Sequence, residues 1–146
     1  MLNLQNIDTI DTFENLKGII AVTYDPVINL LAFPDKANGY VKIKNYDKNI
    51  TVLTNAHGTK IACLAISHDG LFLATASEKG RNIRTFRTED GAFLEEYPVN
   101  TSTTQIYSIT FDKHVQFISC TNSTGNIPIF SLSASYKKLK QLVKVE

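Results

Sequence analysis

The sequence predicts an all-β chain, a partial β-propeller of four-stranded antiparallel blades, and three observations carry that reading. Short runs rich in β-branched and aromatic residues follow one another along the chain, each closed by Asp, Asn, Gly or Pro. The runs come in fours and the set recurs: Ile19, Ile61 and Ile106 open equivalent first strands, 42 and 45 residues apart, which is the ~40 to 45 residue period of a propeller blade. Apolar residues alternate or form brief solid runs, whereas helical repeats of this length would place them three and four apart over ten or more positions.

Taken in order, residues 1–17 hold LQNIDTIDTF, one outer strand left over ahead of the first unit. Residues 18–56 form a blade from GIIAVTYDP, INLLAFPDK, GYVKIKNYDKN and ITVLTNAH, the last run ending on the linker. Residues 57–100 repeat it with IACLAISHDG, LFLATASEKG, NIRTFRTEDG and AFLEEYPVN. Residues 101–146 supply only QIYSITFDK, VQFISCTNSTG and NIPIFSLS before a basic tail, SYKKLKQLVKVE, expected to be solvated and frayed. The strands fall short of a ring, since propellers close with ~4 to 8 blades. Three readings cover the shortfall: a fragment of a larger propeller, missing blades supplied by another chain, or open edges shielded by the Lys-rich segment.

Composition narrows the function classes. Apolar residues are 43% and charged residues 20% of the 146, the balance of a chain that buries a core. Fifteen Lys and Arg against fourteen Asp and Glu leave a net charge of +1, so no global field draws the chain to nucleic acid and any anion site is local. No apolar run approaches the ~20 residues that span a bilayer. Asp8, Asp11 and Glu14 stand where a secretory leader carries basic residues, which places the expected location in the cytoplasm. Cys63 and Cys120 lie in separate strand runs without metal-knuckle or redox spacing and read as reduced core residues. His68 and His114 occupy turns with no thiol or carboxylate at metal spacing, and Asp47, Asp69 and Asp90 end strands where turns favour them. No catalytic constellation, metal site or cofactor is expected.

The run AHGTKIACLAISHDGLFLATASEKG, residues 56–80, followed by IRTF and QIYSITF, resembles the PROPPIN family of WD-repeat-like propellers, which includes the WIPI proteins. The likeness spans residues 18–132 and matches the fourth to sixth of that family's seven blades. It implies a non-enzymatic adaptor of autophagy or endosomal traffic, recruited peripherally to membranes, with autophagy or trafficking proteins as partners. It also implies two shallow pockets for phosphatidylinositol 3-phosphate or its 3,5-bisphosphate, flanking an F-R-R-G motif. Successive residues on an extended strand point to opposite sides, so each arginine of the pair serves its own pocket. Guanidinium forks suit phosphate because they give directed, charge-assisted hydrogen bonds.

Carried onto this chain, the motif falls on Tyr97, Pro98, Val99 and Asn100, and both arginines are gone. For the first pocket, the family's histidine, serine and strand arginine match His57, Ser77 and Arg84, while Arg81 stands where a threonine is expected. For the second, the expected threonine and histidine are Asn126 and Pro128. Arg81, beside Arg84 and Lys79, is the one feature that could replace a missing guanidinium. Plainer readings stand next to these: His57 as a structural hydrogen-bonding residue, Ser77 as a turn residue, and Arg84 as the outer face of a strand. The tail lysines Lys137, Lys138, Lys140 and Lys144 could attract anionic lipid, though the family's long membrane loop has no counterpart here. Two functions follow as expectations: a PROPPIN-like adaptor with impaired lipid binding, or a protein-interaction scaffold or propeller fragment that has lost phosphoinositide recognition.

Overall fold

The computed structural model describes residues 4–12 and 14–144. Eleven strands in these residues form three antiparallel sheets, each a meander in chain order. The first sheet holds β1 (Ala21–Val22), β2 (Leu30–Pro34), β3 (Tyr40–Asn45) and β4 (Ile50–Asn55). The second holds β5 (Ile61–Ile66), β6 (Phe72–Ser77), β7 (Asn82–Arg87) and β8 (Phe93–Pro98). The third holds β9 (Ile106–Phe111), β10 (Phe117–Asn122) and β11 (Ile129–Ser131). Every strand expected from residue 18 onward therefore forms, and adjacent sheets stack as neighbouring blades do.

The stacking follows from strand periodicity. β6 reads FLATAS and is buried along its whole length because both of its faces are covered. Phe72, Ala74 and Ala76 turn to a core shared with the third sheet, where they meet Ile106, Ile109, Ile118 and Cys120. Leu73 turns the other way, into a core built with Ala32, Val41 and Ile43 of the first sheet. With side chains alternating across a strand, small residues at every second position let the sheets approach closely. Cys63 and Cys120 are both buried and unbridged, and burial holds both thiols above their usual range.

Two segments differ from expectation. Residues 4–12 form no strand, because a strand needs a neighbour to take its ladder bonds. The segment is instead tied to the first sheet by side chains: Asp8 accepts from both the Lys44 ammonium and, at 2.9 Å, the Tyr46 hydroxyl. The basic tail is not frayed; Ala134–Lys144 is a helix, α1. Tyr136 anchors it, buried on the Phe72 ring at a centroid separation of 3.9 Å, with Leu139 packed against the same core. Tyr136 and Leu139 are three apart and so share one helix face, a pairing too short to stand out in a Lys-rich run.

Candidate functional site

Turns and strand ends of the second sheet bring the four expected first-pocket residues together. His57, Ser77, Arg81 and Arg84 line one cleft of about 220 Å³, joined by Thr59, Lys79 and Asn82. Ser77 ends β6, and its carbonyl accepts from Gly80 N at 2.9 Å, closing the tight Ser-Glu-Lys-Gly turn that presents Lys79 and Arg81. Gly80 adopts φ +58°, a conformation that suits glycine, and a Cβ there would lie 1.8 Å from the Thr104 carbonyl oxygen. The turn is thereby pressed against the segment leading into β9.

His57 forms the back of the cleft. It is buried, with Nε2 2.9 Å from Thr75 Oγ1. The Thr75 hydroxyl gives its own proton to the Arg84 carbonyl at 3.3 Å, so its lone pair faces an Nε2–H. Burial, helped by the Arg84 charge, pushes the imidazole down to about 4. At neutral pH His57 is therefore uncharged, and its Nε2 proton is committed to the second sheet.

Arg84 is also engaged. Its Nε donates to the Glu96 carboxylate across the β7–β8 pairing, and its Nη1 donates to the Ala56 carbonyl at 3.0 Å. Asn82 Nδ2 adds a hydrogen bond to the other Glu96 oxygen at 2.9 Å. The arginine thus pins the end of the first sheet to the second instead of standing in water. Glu96 escaped sequence reasoning, although its place directly opposite Arg84 could have been read from the hairpin register.

A family model described as PROPPIN matches residues 2–139. The chain belongs to the PROPPIN family. Its PROPPIN relatives include autophagy-related protein 18e of Arabidopsis thaliana, 32% identical over 89% of this chain and 35% of that protein. Autophagy-related protein 18 of Saccharomyces cerevisiae is 38% identical over 70% of this chain and 21% of its own length. Among solved structures, Kluyveromyces lactis Hsv2 superposes with a TM-score of 0.71 at 18% identity, covering 81% of this chain and 39% of that one. A complex of KlAtg21 with the coiled coil of AgAtg16 gives a TM-score of 0.70 at 23% identity, over 80% and 40%. The chain spans about a third of the length of the first of these relatives and less of others, so it carries a partial propeller fold.

The residues onto which the resemblance carries the F-R-R-G motif, Tyr97 to Asn100, close β8 and lead away from it beside Arg81. Tyr97 is buried, stacks on Phe130 of the third sheet at 5.4 Å and donates its hydroxyl to Glu95 at 2.6 Å. Pro98 pairs with Asn82 across the sheet and faces solvent. Val99 N and Asn100 N both donate to the Arg81 carbonyl, at 2.7 and 3.1 Å. The backbone at Val99 and Asn100 is thus tied to Arg81, which lines the cleft, while the Tyr97 and Val99 side chains pack on the core between the second and third sheets. On the other flank, Asn126 is exposed, and Pro128, just before β11, has a carbonyl that accepts from Cys120 N at 3.3 Å. No helix among these residues is long and apolar enough to cross a membrane.

Proposed function

We propose that this chain acts as a non-enzymatic PROPPIN-type adaptor in autophagy or endosomal traffic whose phosphoinositide recognition is impaired. The observation that carries the reading is the replacement of the motif arginines by Pro98 and Val99 on backbone that still borders the cleft. His57 and Arg84, two of the remaining donors, are already bonded to Thr75, Glu96 and Ala56. Lys79 and Arg81 remain as cations at the mouth. A hydrogen bond to a charged group contributes ~1.5 to 3 kcal/mol, so each arginine lost weakens a phosphate site by roughly ten- to a hundredfold. With both gone, the gain from gripping two headgroups at once is lost as well.

Flotation with vesicles of neutral lipid, with and without phosphatidylinositol 3-phosphate, tests this. The wild-type chain is expected to float equally weakly on both, and the double variant Pro98→Arg, Val99→Arg to gain at least tenfold on the phosphoinositide vesicles. Strong phosphoinositide-dependent flotation of the wild type would refute the impairment. A scaffold role is favoured by a separate observation, the solved KlAtg21 relative with a bound coiled coil; a protein-binding surface needs no arginine pair.

A further inference from the structure

The turns that join β5 to β6 and β9 to β10 are built alike. In the first, Ser67 N donates to the Phe72 carbonyl at 2.8 Å and Gly70 N to the Ser67 carbonyl at 2.9 Å. In the second, Asp112 N donates to the Phe117 carbonyl at 3.3 Å and Val115 N to the Asp112 carbonyl at 3.0 Å. The fourth residue of each turn is left-handed, Gly70 at φ +71° and Val115 at φ +55°. Glycine enters that region freely, whereas a β-branched residue there is strained. The third sheet thus carries a valine where the second carries a glycine.

What the valine gains lies under α1. Its side chain is 3% exposed, in the core that also takes Tyr136 and Leu139, and it borders one cavity with Lys137, Lys140 and Gln141 of the helix. The peptide just before it presents the His114 carbonyl to Lys140 Nζ, which donates to it. Turning that peptide over would return Val115 to negative φ, but it would break the Val115–Asp112 hydrogen bond and carry the His114 carbonyl away from Lys140. The strained turn and the docked helix therefore support each other.

Two of the contacts that dock α1 are incomplete. Tyr136, Leu139 and Lys140 share one helix face, yet the Tyr136 hydroxyl is buried with no hydrogen-bond partner among the described residues. Lys140 stands 3.5 Å from Asp69 Oδ2, and that buried oxygen also lacks a hydrogen bond among them. The strands beneath are laddered to their neighbours in every sheet.

We propose that α1 is a strap with two states, docked with Val115 left-handed and lifted with the turn relaxed, and that it lifts while the three sheets stay folded. An element held by few and imperfect contacts opens at a lower free energy than the core it covers. Lifting uncovers Phe72 and Asp69 at the turn end of the second sheet.

Native-state hydrogen exchange on the 146-residue chain tests this. The α1 amides are expected to exchange about a hundredfold faster than those of β6; equal rates overturn the strap. Lys140→Met removes the ammonium that joins helix and turn, and is expected to speed α1 about tenfold, with the Val115 and Gln116 amides following and β6 unchanged. A faster α1 beside an unchanged Val115 and Gln116 overturns the coupling. Val115→Gly gives this turn the residue that its counterpart carries. In that background Lys140→Met is expected to free α1 without speeding the amides at positions 115 and 116; the same acceleration there as in the valine background overturns the role of the strain.

Discussion

Arg84 and Glu96 stand directly opposite one another in the β7–β8 ladder, and the guanidinium that bonds the carboxylate also reaches the Ala56 carbonyl at the end of the first sheet. One side chain therefore closes the second sheet on itself and fastens it to its neighbour. Because the pair is more than a third exposed, water screens it and its Coulombic part counts for little. The inter-sheet hydrogen bond carries most of its worth.

Replacing Arg84 with alanine is expected to cost about 1 kcal/mol, the net value of one hydrogen bond plus a screened pair. Urea unfolding reads the loss as a lower midpoint at unchanged slope. Arg84→Lys is expected to recover little, since an ammonium cannot reach Glu96 and Ala56 with the same fixed fork.

His57 makes stability fall on mild acidification. Its folded value of about 4 lies below the unfolded 6.5, so the unfolded chain binds more protons and stability is lost as pH drops from 6.5 towards 4. Between pH 7 and 5 the expected loss is about 2 kcal/mol. Unfolding midpoints at the two pH values measure it, and His57→Gln is expected to flatten the difference.

Tyr136 separates packing from polarity. Its ring lies on Phe72, while its buried hydroxyl has no hydrogen-bond partner among the described residues. Tyr136→Phe is expected to be neutral or to stabilise by up to about 1 kcal/mol, because it removes an unpaired buried group. Tyr136→Ala is expected to cost about 3 kcal/mol through the cavity it opens. Thermal unfolding followed by far-UV dichroism distinguishes the two.

Gly80 and Gly58 contrast sterically. An alanine at Gly80 meets the Thr104 carbonyl oxygen at 1.8 Å on a positive φ, whereas one at Gly58 meets nothing within 4 Å. Gly80→Ala is expected to cost more than about 2 kcal/mol and Gly58→Ala less than about 0.5 kcal/mol, both read from urea unfolding.

The strand plan from residue 18 onward was legible because it rests on local information. Strands alternate with period two and turns demand Gly, Asp and Asn, so LFLATASEKG declares a strand and a turn wherever it is placed. The resemblance then brought His57, Ser77, Arg81 and Arg84 to one cleft, and the structure places them there. The plain reading of His57 as a structural hydrogen-bonding residue agrees with its bond to Thr75, whereas the tie of Arg84 to Glu96 and Ala56 was not legible. The Lys-rich tail read as frayed because its two anchoring side chains matter only when Phe72 lies beneath them.

The sequence alone determined the order of the strands from residue 18 onward and the turns that part them, since short-range backbone preference settles each of these. Only the tertiary structure decided that Arg84 is held by Glu96 and Ala56, that His57 is buried and uncharged, and that Gly39 and Gly80 fit against carbonyls while Gly125 faces open space. Those outcomes depend on which groups are brought within a few ångströms and withdrawn from water. That is a property of how the sheets stack, and residues far apart in the chain take part in it together.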